Sequence, residues 1–483
     1  MVLSNRRLCE CIVIVALLIM GFRNFVDPDG WWHLRTGQLI VATGSVPHTD
    51  TYSANHAGKK WVAHEWLSEV LMYLGYELGG IDLLMAGFAI VGAAAFWITH
   101  RRSAGRPYIA AISVVLGMIV ASPVLGVRPQ IFSVLFTSIF LAVLEKQAST
   151  KESRGLWWLV PLMVVWVNLH GAFVIGLALI GCYTAGLLLD GWLIEGAVQP
   201  VLPKVRQLGL TLIACVLVVP LNPNGLTLIL YPLQTMKLKA ASMYITEWAS
   251  PNFHQPFFQA LAVFMLLTFV LAALSKRKPR PSALLLLSAT AFAALYSARH
   301  IPIFTLVAIP QLAQSLSDFL QRFQWTHALS GNERTIGTRQ QVLNLTLLLI
   351  VVSVGLIRIG SMMSDQDTIE AKEFPKSAVQ FIREHHITGS IYNLYEWGGY
   401  ITWHLFPSCR ANVDGRADIY GDQFMTDYMN SYFGGKGWKE PLDRSGAQTA
   451  LVSPNAPVAN LLREQQNWKN VFEDDIAVVF VHE

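Results

Sequence analysis

This sequence predicts a polytopic α-helical membrane protein with a small α/β domain at its C-terminal end. Three observations predict it. Of 483 residues, 53% are hydrophobic and only 14% charged, where soluble domains carry about a quarter charged residues. Long apolar runs recur through the first three quarters of the chain. After residue 360 the pattern changes to short alternating segments with strand and helix periods.

The apolar runs fall near 8–24, 81–98, 107–126, 130–145, 157–169, 171–190, 207–221, 257–275, 282–298, 301–319 and 342–360. Each is long enough to cross if tilted or extended by its flanks, which makes about eleven spans. Arg6 and Arg7 precede the first run as in a signal peptide, but "GFRNFVDPDG" has no small-x-small cleavage site, so a retained first helix is expected. The first connection, 25–80, is more than a loop. "WWHLRTGQLIVATG" predicts an amphipathic helix ending at Gly44, and "AHEWLSEVLMYLGYELGG" another ending at Gly79 and Gly80, with "SVPHTDTYS" extended between them. Trp31, Trp32, Trp61 and Trp66 suit headgroup depth, so both helices are expected at the interface.

Alternate connections are basic: "SNRR", "HRRSAGR", "EKQASTKESR", "PKVR", "SKRKPR" and "QRFQWTHALSGNERTIGTRQQ". The positive-inside bias places these in the cytoplasm, with the N-terminus, and the C-terminal domain on the other side. The other connections then hold Asp27, Asp29, His33, Arg35, His64, Glu65, Arg128, Gln130, Asn168, His170, Asn222, Asn224, Glu247, His254, Arg299 and His300. Ionisable groups beside spans are costly unless they face water or one another, so their gathering on one side is the main functional signal.

Residues 361–483 read as an α/β domain with a partly parallel sheet. Strands are expected at "GSIYNL", "CRANVD", "TALVS" and "IAVVFVHE", and helices at "PKSAVQFIREHH", "DQFMTDYMNSYF" and "APVANLLREQQN". The domain division is thus 1–360 and 361–483. No glycine-rich nucleotide fingerprint follows the strands. The five cysteines form no CxxC pair or zinc spacing. A net charge of +4, concentrated in short loops, marks topology and excludes a nucleic-acid surface.

Asp27-Pro28-Asp29 offers a general base or a cation site. A carboxylate can take a proton from a hydroxyl attacking a sugar carbon, and a phosphate leaving group departs as an anion that needs nearby positive charge. The competing reading makes Asp29 a helix cap and Asp27 a solvated side chain. Arg128 in "GVRPQ" and Arg299-His300 in "SARHIP" suit phosphate, because arginine matches phosphate geometry; snorkelling is the alternative. His170, in the tight turn "NLHG", is either a substrate contact or simply exposed. Glu65 opens a helix, where acids are favoured electrostatically. Glu247 is a second acid, a cation ligand or an ordinary solvated side chain. In "YEWGGYITW" the glycines permit a tight turn or close backbone approach. In "NVDGRADIYGD", Asp414 and Arg416 read first as a structural turn with an ion pair, and second as the border of a cleft.

The pattern D-x-D-x-W-W-H-L-x-x-G…V-P-x-x-D-x-Y-S…H-E-W-L, with "RPQ", "NLHG", "NPNG", "EW-SP", "WGGY" and "DGR", covers most of the chain. It resembles a bacterial multi-pass branch of the GT-C glycosyltransferases, distantly similar to protein O-mannosyltransferases and oligosaccharyltransferases. That resemblance implies many spans, a first outer loop with two interfacial helices, and a catalytic acid at its start, here Asp27 or Asp29. It implies a donor sugar on a polyprenyl phosphate or diphosphate, and a glycan, lipid or protein hydroxyl as acceptor. Arg128, Arg299 and His170 become donor-phosphate candidates, with His33, Arg35, Glu65, Glu247 and His300 as further substrate-binding candidates. Some GT-C enzymes use a divalent cation (Mg or Mn) and others none; Asp27 and Asp29 are the candidate ligands here. "YEWGGY" is only partly similar to the W-W-D-Y-G motif of oligosaccharyltransferases, since Glu396 precedes its tryptophan, so peptide binding is not carried over. The resemblance and the topology imply a bacterial inner membrane, with a periplasmic C-terminal domain. A transporter or flippase of lipid-linked glycan, or a non-catalytic assembly protein of a polysaccharide pathway, is the alternative. The near absence of acids and bases within the spans counts against transport.

Overall fold

The computed structural model describes residues 3–103, 106–149, 154–235, 237–238, 245–323 and 337–483. Parts of three basic connections, at 104–105, 150–153 and 324–336, lie outside the described residues.

Every apolar run carries a helix. They are Asn5–Gly21, the second half of Trp66–Arg102, Pro107–Ala121, Gln130–Ser149, Leu159–Leu169, Val174–Leu193, Leu202–Leu217, Pro256–Leu274, Pro281–Tyr296, Ile301–Leu320 and Thr338–Glu373. Several start at proline, whose missing N–H costs nothing in a first turn. Among the described residues eight helical stretches are long and apolar enough to cross a bilayer. Arg154–Leu169 and Pro281–Tyr296 are shorter apolar helices, and Asn5–Gly21 has 17 residues, which is why the full-length tally falls below eleven. The chain is a multi-pass membrane protein.

By packing, the described residues divide into two compact units. One comprises 1–23, 85–222 and 246–362; the other comprises 24–84, 223–245 and 363–483. In the second unit the first connection packs with the C-terminal residues. The physical reason is close packing inside that unit. Helix Pro28–Thr43 lies against helix Gly398–Leu405, so near that a Cβ on Gly399 would sit 2.5 Å from the Pro28 carbonyl oxygen. Trp31, 1% exposed, meets Phe25, Tyr400 and Phe374 edge-on at 4.9, 5.0 and 5.7 Å. Truncating such a side chain costs about 3–5 kcal/mol.

In the spanning unit, small residues set the helix approach. A Cβ on Gly117 would meet Ile309 at 2.4 Å, one on Gly176 would meet Trp166 at 2.7 Å, and one on Gly186 would meet Ser282 at 2.7 Å. The charged side chains near helix ends are compensated locally. Arg102 donates to both oxygens of Glu145 at 2.8 and 2.6 Å, and the Asp190 carboxylate accepts from the Ser282 backbone and hydroxyl at 3.0 and 2.6 Å.

In the second unit, helix Pro28–Thr43 ends at Gly44 with φ +66°, a left-handed cap that glycine adopts without strain. The helical path of Trp66–Arg102 breaks at Gly79 and Gly80, separating the expected interfacial helix from the span. The sheet is built from β1 (Gly389–Asn393), β2 (Cys409–Ala411), β3 (Thr449–Val452), β4 (Trp468–Glu473) and β5 (Val478–His482), in the order β2-β1-β3-β5-β4. β1 runs parallel to β2 and β3, while β5 is antiparallel to β3 and β4. Its core includes Tyr392, Val413, Tyr428, Val458 and Phe480. Strand β4 was not expected: only one of its six residues is buried, so it carries little of the apolar alternation that announces a strand. In "WGGYITW", where the glycines were expected to permit a tight turn or a close backbone approach, residues Gly398–Leu405 are helical.

Candidate functional site

The residues singled out by sequence divide between the two units. Asp27, Asp29, His33, Arg35 and Glu65 belong to the unit with the sheet; Arg128, His170, Glu247, Arg299 and His300 belong to the spanning unit.

The two aspartates occupy the start of helix Pro28–Thr43, with roles reversed from the capping expectation. Asp27 is the cap, accepting from the Asp29 backbone N–H at 3.0 Å. Asp29 lies in the first turn and accepts from Trp32 Nε1 at 3.0 Å. Both acids suit the positive end of the helix. Gly415 makes room for Asp29: a Cβ there would lie 1.6 Å from Asp29 Oδ1. Gly398 is equally constrained, its Cβ position lying 2.0 Å from the Val413 carbonyl oxygen. The "WGGY" and "DGR" motifs are therefore seats for the loop that carries the acids, by the close backbone approach foreseen for the glycines.

One turn beyond Asp29, His33 lies 3% exposed between two carboxylates. Its Nε2 is 3.4 Å from Glu65 and its Nδ1 3.2 Å from Glu69. Glu65 also meets His64 Nε2 at 3.2 Å. Burial, with the Glu65 charge adding, pushes Glu69 well above the ordinary carboxyl range. Burial opposes the charge on His64, but Glu65 and the Val62 carbonyl outweigh it and raise its pKa. The His64 ring lies 4.7 Å from that of Tyr231, whose hydroxyl donates to Asp418 at 3.0 Å. His33 and Glu65 accordingly belong to a buried network. Glu69, four residues after Glu65 on one helix face, was missed, although that spacing was its signal. Arg35 donates to Gln38 at 2.6 Å and lies over the Phe406 ring at 5.1 Å.

Arg416, 2% exposed, donates to Asp50 at 2.7 Å and to Asp414 at 2.6 Å. It lies 5.0 Å from the Tyr52 ring and 4.8 Å from that of Trp61. Two carboxylates and two aromatic faces enclose one guanidinium, which bears out the structural ion pair; Asp50 was the partner that sequence did not suggest.

In the spanning unit, Arg128 grips Glu247 through Nη1 and Nη2 at 2.8 and 3.0 Å, and Arg299 Nη2 stands 3.8 Å from the same carboxylate. Arg299 lies over Trp248 at 4.2 Å, so "TEW" supplies both an anion and an aromatic face. Its turn is tied down by Ser297 Oγ donating to the Glu247 carbonyl at 3.0 Å. Burial opposes ionisation of Glu247, but Arg128 and Arg299 outweigh it and hold the carboxyl below the ordinary range. Glu247 is therefore neither a proton donor at neutral pH nor a solvated side chain. These three side chains remain about one-fifth exposed. His170 Nδ1 accepts from the Ala172 backbone at 3.1 Å and contacts Ser133 Oγ at 2.8 Å, while Trp166 Nε1 donates to that hydroxyl at 2.8 Å. His170 Nδ1 thus ties its own turn to the Ser133–Trp166 pair. His300 ends the short turn Ala298–His300, with Nδ1 buried and no hydrogen-bond partner among the described residues.

Among the described residues no group of three or more His, Cys, Asp or Glu side chains has metal-holding geometry.

No protein-family profile and no curated protein matches the chain. Solved structures do. The archaeal oligosaccharyltransferase AglB from Archaeoglobus fulgidus, in complex with an inhibitory peptide and a dolichol-phosphate, superposes with a TM-score of 0.57 at 14% identity, over 92% of this chain and 69% of its own. ArnT from Cupriavidus metallidurans, bound to undecaprenyl phosphate, superposes with a TM-score of 0.53 at 15% identity, over 97% of this chain and 96% of its own. The chain therefore has the fold of the GT-C glycosyltransferases.

Proposed function

We propose that this protein is a membrane glycosyltransferase that moves a sugar from a polyprenyl-phosphate-linked donor to a hydroxyl of a glycan, lipid or protein. The observation that carries the reading is the seat of Asp27 and Asp29: one acid capping the first-connection helix and the other in its first turn, fitted against Gly415 and Trp32, on a GT-C fold. Either carboxylate serves as general base toward the acceptor hydroxyl. Arg128 and Arg299 bind the donor phosphate and stabilise the charge that develops on it. His170 stands with them as a further phosphate contact. His33, Glu65 and Arg35 position the acid-bearing helix; His300 remains a substrate-contact candidate. A divalent cation bound by Asp27 and Asp29 would supply Lewis-acid charge, and chelation of the purified protein during transfer assays tests that arm. The loop charges support a cytoplasmic N-terminus and a periplasmic C-terminal domain in a bacterial inner membrane.

The test replaces Asp27 and Asp29 separately with Asn in the full chain, reconstituted in nanodiscs with synthetic polyprenyl-phosphate sugars. Loss of a general base lowers kcat about 10²–10⁴-fold. If both variants are folded and transfer sugar at the parental rate, no base stands at either position and the assignment fails.

A further inference from the structure

The spanning unit contains an apolar groove that the chemistry above does not use. Helices Asn5–Gly21, Pro107–Ala121 and Thr338–Glu373 border a cavity of about 640 Å³, within the range of small-molecule sites. On each helix the lining positions recur every three or four residues, so one stripe per helix faces it. Leu8, Ile112 and Leu343 are representative. From Asn5 to Ala16 the groove runs roughly 16 Å at the helical rise, close to the ~15 Å of one hydrocarbon leaflet.

One end is polar. Asn344 Nδ2 donates to the Leu3 carbonyl at 2.9 Å and to Asn5 Oδ1 at 2.8 Å, and Gln340 Nε2 donates to Asn344 Oδ1 at 3.0 Å. All three helices begin at this end, because the lowest-numbered lining residue of each lies in its first turn. Their amide ends therefore add positive potential. Arg6, Arg7, Arg106 and Arg339 lie in or just before these first turns. Against them stands Glu10, already engaged by Arg6 at 3.4 Å.

We propose that this groove binds one acyl chain of an anionic glycerophospholipid, with the headgroup phosphate at the amide and arginine end. The lining is apolar for the depth of a single leaflet, and the mouth carries excess positive charge. A polyprenyl tail is far longer than this depth. In the orientation proposed above the mouth opens to the cytoplasmic leaflet, where anionic lipids concentrate. The site is independent of the transfer chemistry.

Native mass spectrometry of the full chain, titrated with phosphatidylglycerol, phosphatidylcholine or undecaprenyl phosphate, tests the proposal. Phosphatidylglycerol is expected to be retained at least fivefold more than phosphatidylcholine. Filling the groove with Ala111→Trp is expected to abolish that preference, and Arg339→Gln to reduce it about threefold. Should Ala111→Trp misfold, phosphatidylglycerol with a photoreactive acyl chain is crosslinked to the unaltered protein, and adducts are expected within 8–16, 111–116 and 343–347. Equal retention of the two phospholipids, preferential retention of undecaprenyl phosphate that Ala111→Trp removes, or adducts spread evenly over the spans would overturn the assignment.

Discussion

Two arginine clusters in this chain have opposite charge arithmetic. In the sheet-bearing unit one guanidinium, Arg416, faces two carboxylates, Asp50 and Asp414, and all three side chains are at most 1% exposed. In the spanning unit two guanidiniums, Arg128 and Arg299, face one carboxylate, Glu247, and about one-fifth of each side chain remains exposed. The first cluster has no room and no positive charge for another anion; its role is to hold the chain together. The second is net positive and reachable. The same residue type therefore points to structure in one place and to phosphate in the other, and the difference lies in stoichiometry and exposure.

The largest effect is expected at Arg416. Arg416→Ala leaves two buried carboxylates uncompensated and should cost about 3–5 kcal/mol, read as a lower unfolding midpoint in the purified membrane protein. Acid sharpens the point. Burial favours the neutral form of Asp50, yet Arg416 and hydrogen bonds around residues 52–53 hold its pKa below the ordinary value. That stabilisation is complete above the unfolded carboxyl pKa and is lost as pH falls through the lower folded one. The variant should therefore show a flatter acid limb than the parent.

Arg128→Ala should behave differently, leaving the fold intact while weakening binding of undecaprenyl phosphate by about 1.5–3 kcal/mol, the worth of hydrogen bonds to a charged group. Glu247→Gln raises the net charge of the same cluster and should strengthen that binding by on the order of 1 kcal/mol. Titration calorimetry of both variants checks this, and unchanged affinities would remove the phosphate role from this cluster. Gly415→Ala is next: its Cβ intrudes on the Asp29 carboxylate, so transfer should fall toward the level of Asp29→Asn, with about 1–3 kcal/mol of overpacking strain. Parental activity would show that the placement of Asp29 is immaterial.

The smallest effect concerns Glu69. Its folded pKa is raised, so between the unfolded value near 4.5 and the folded value the native state binds more protons than the unfolded one, and stability declines as pH rises. The slope is at most about 1.4 kcal/mol per pH unit. Glu69→Gln should remove it, leaving a variant at least as stable as the parent at pH 8 in thermal melts across pH 5 to 8.

Much of this was legible in the chain itself, because helices and their ends depend on neighbours in sequence. The apolar runs, the glycine stop at Gly44, the break at Gly79 and Gly80 and the partly parallel sheet all follow from local period and backbone freedom. So did the unusual placement of Asp27, Asp29, Arg128 and Arg299. Three-dimensional packing alone decided the rest. It joined the first connection to the C-terminal residues, through glycines 370 or more positions away. It enclosed Arg416 between acids 366 positions apart in one case and two in the other. It made Glu247, which sequence left open between a second acid, a cation ligand and a solvated side chain, the anion beside two arginines. Such pairings connect residues by distance and burial, and no local pattern in the sequence encodes a partner hundreds of residues away.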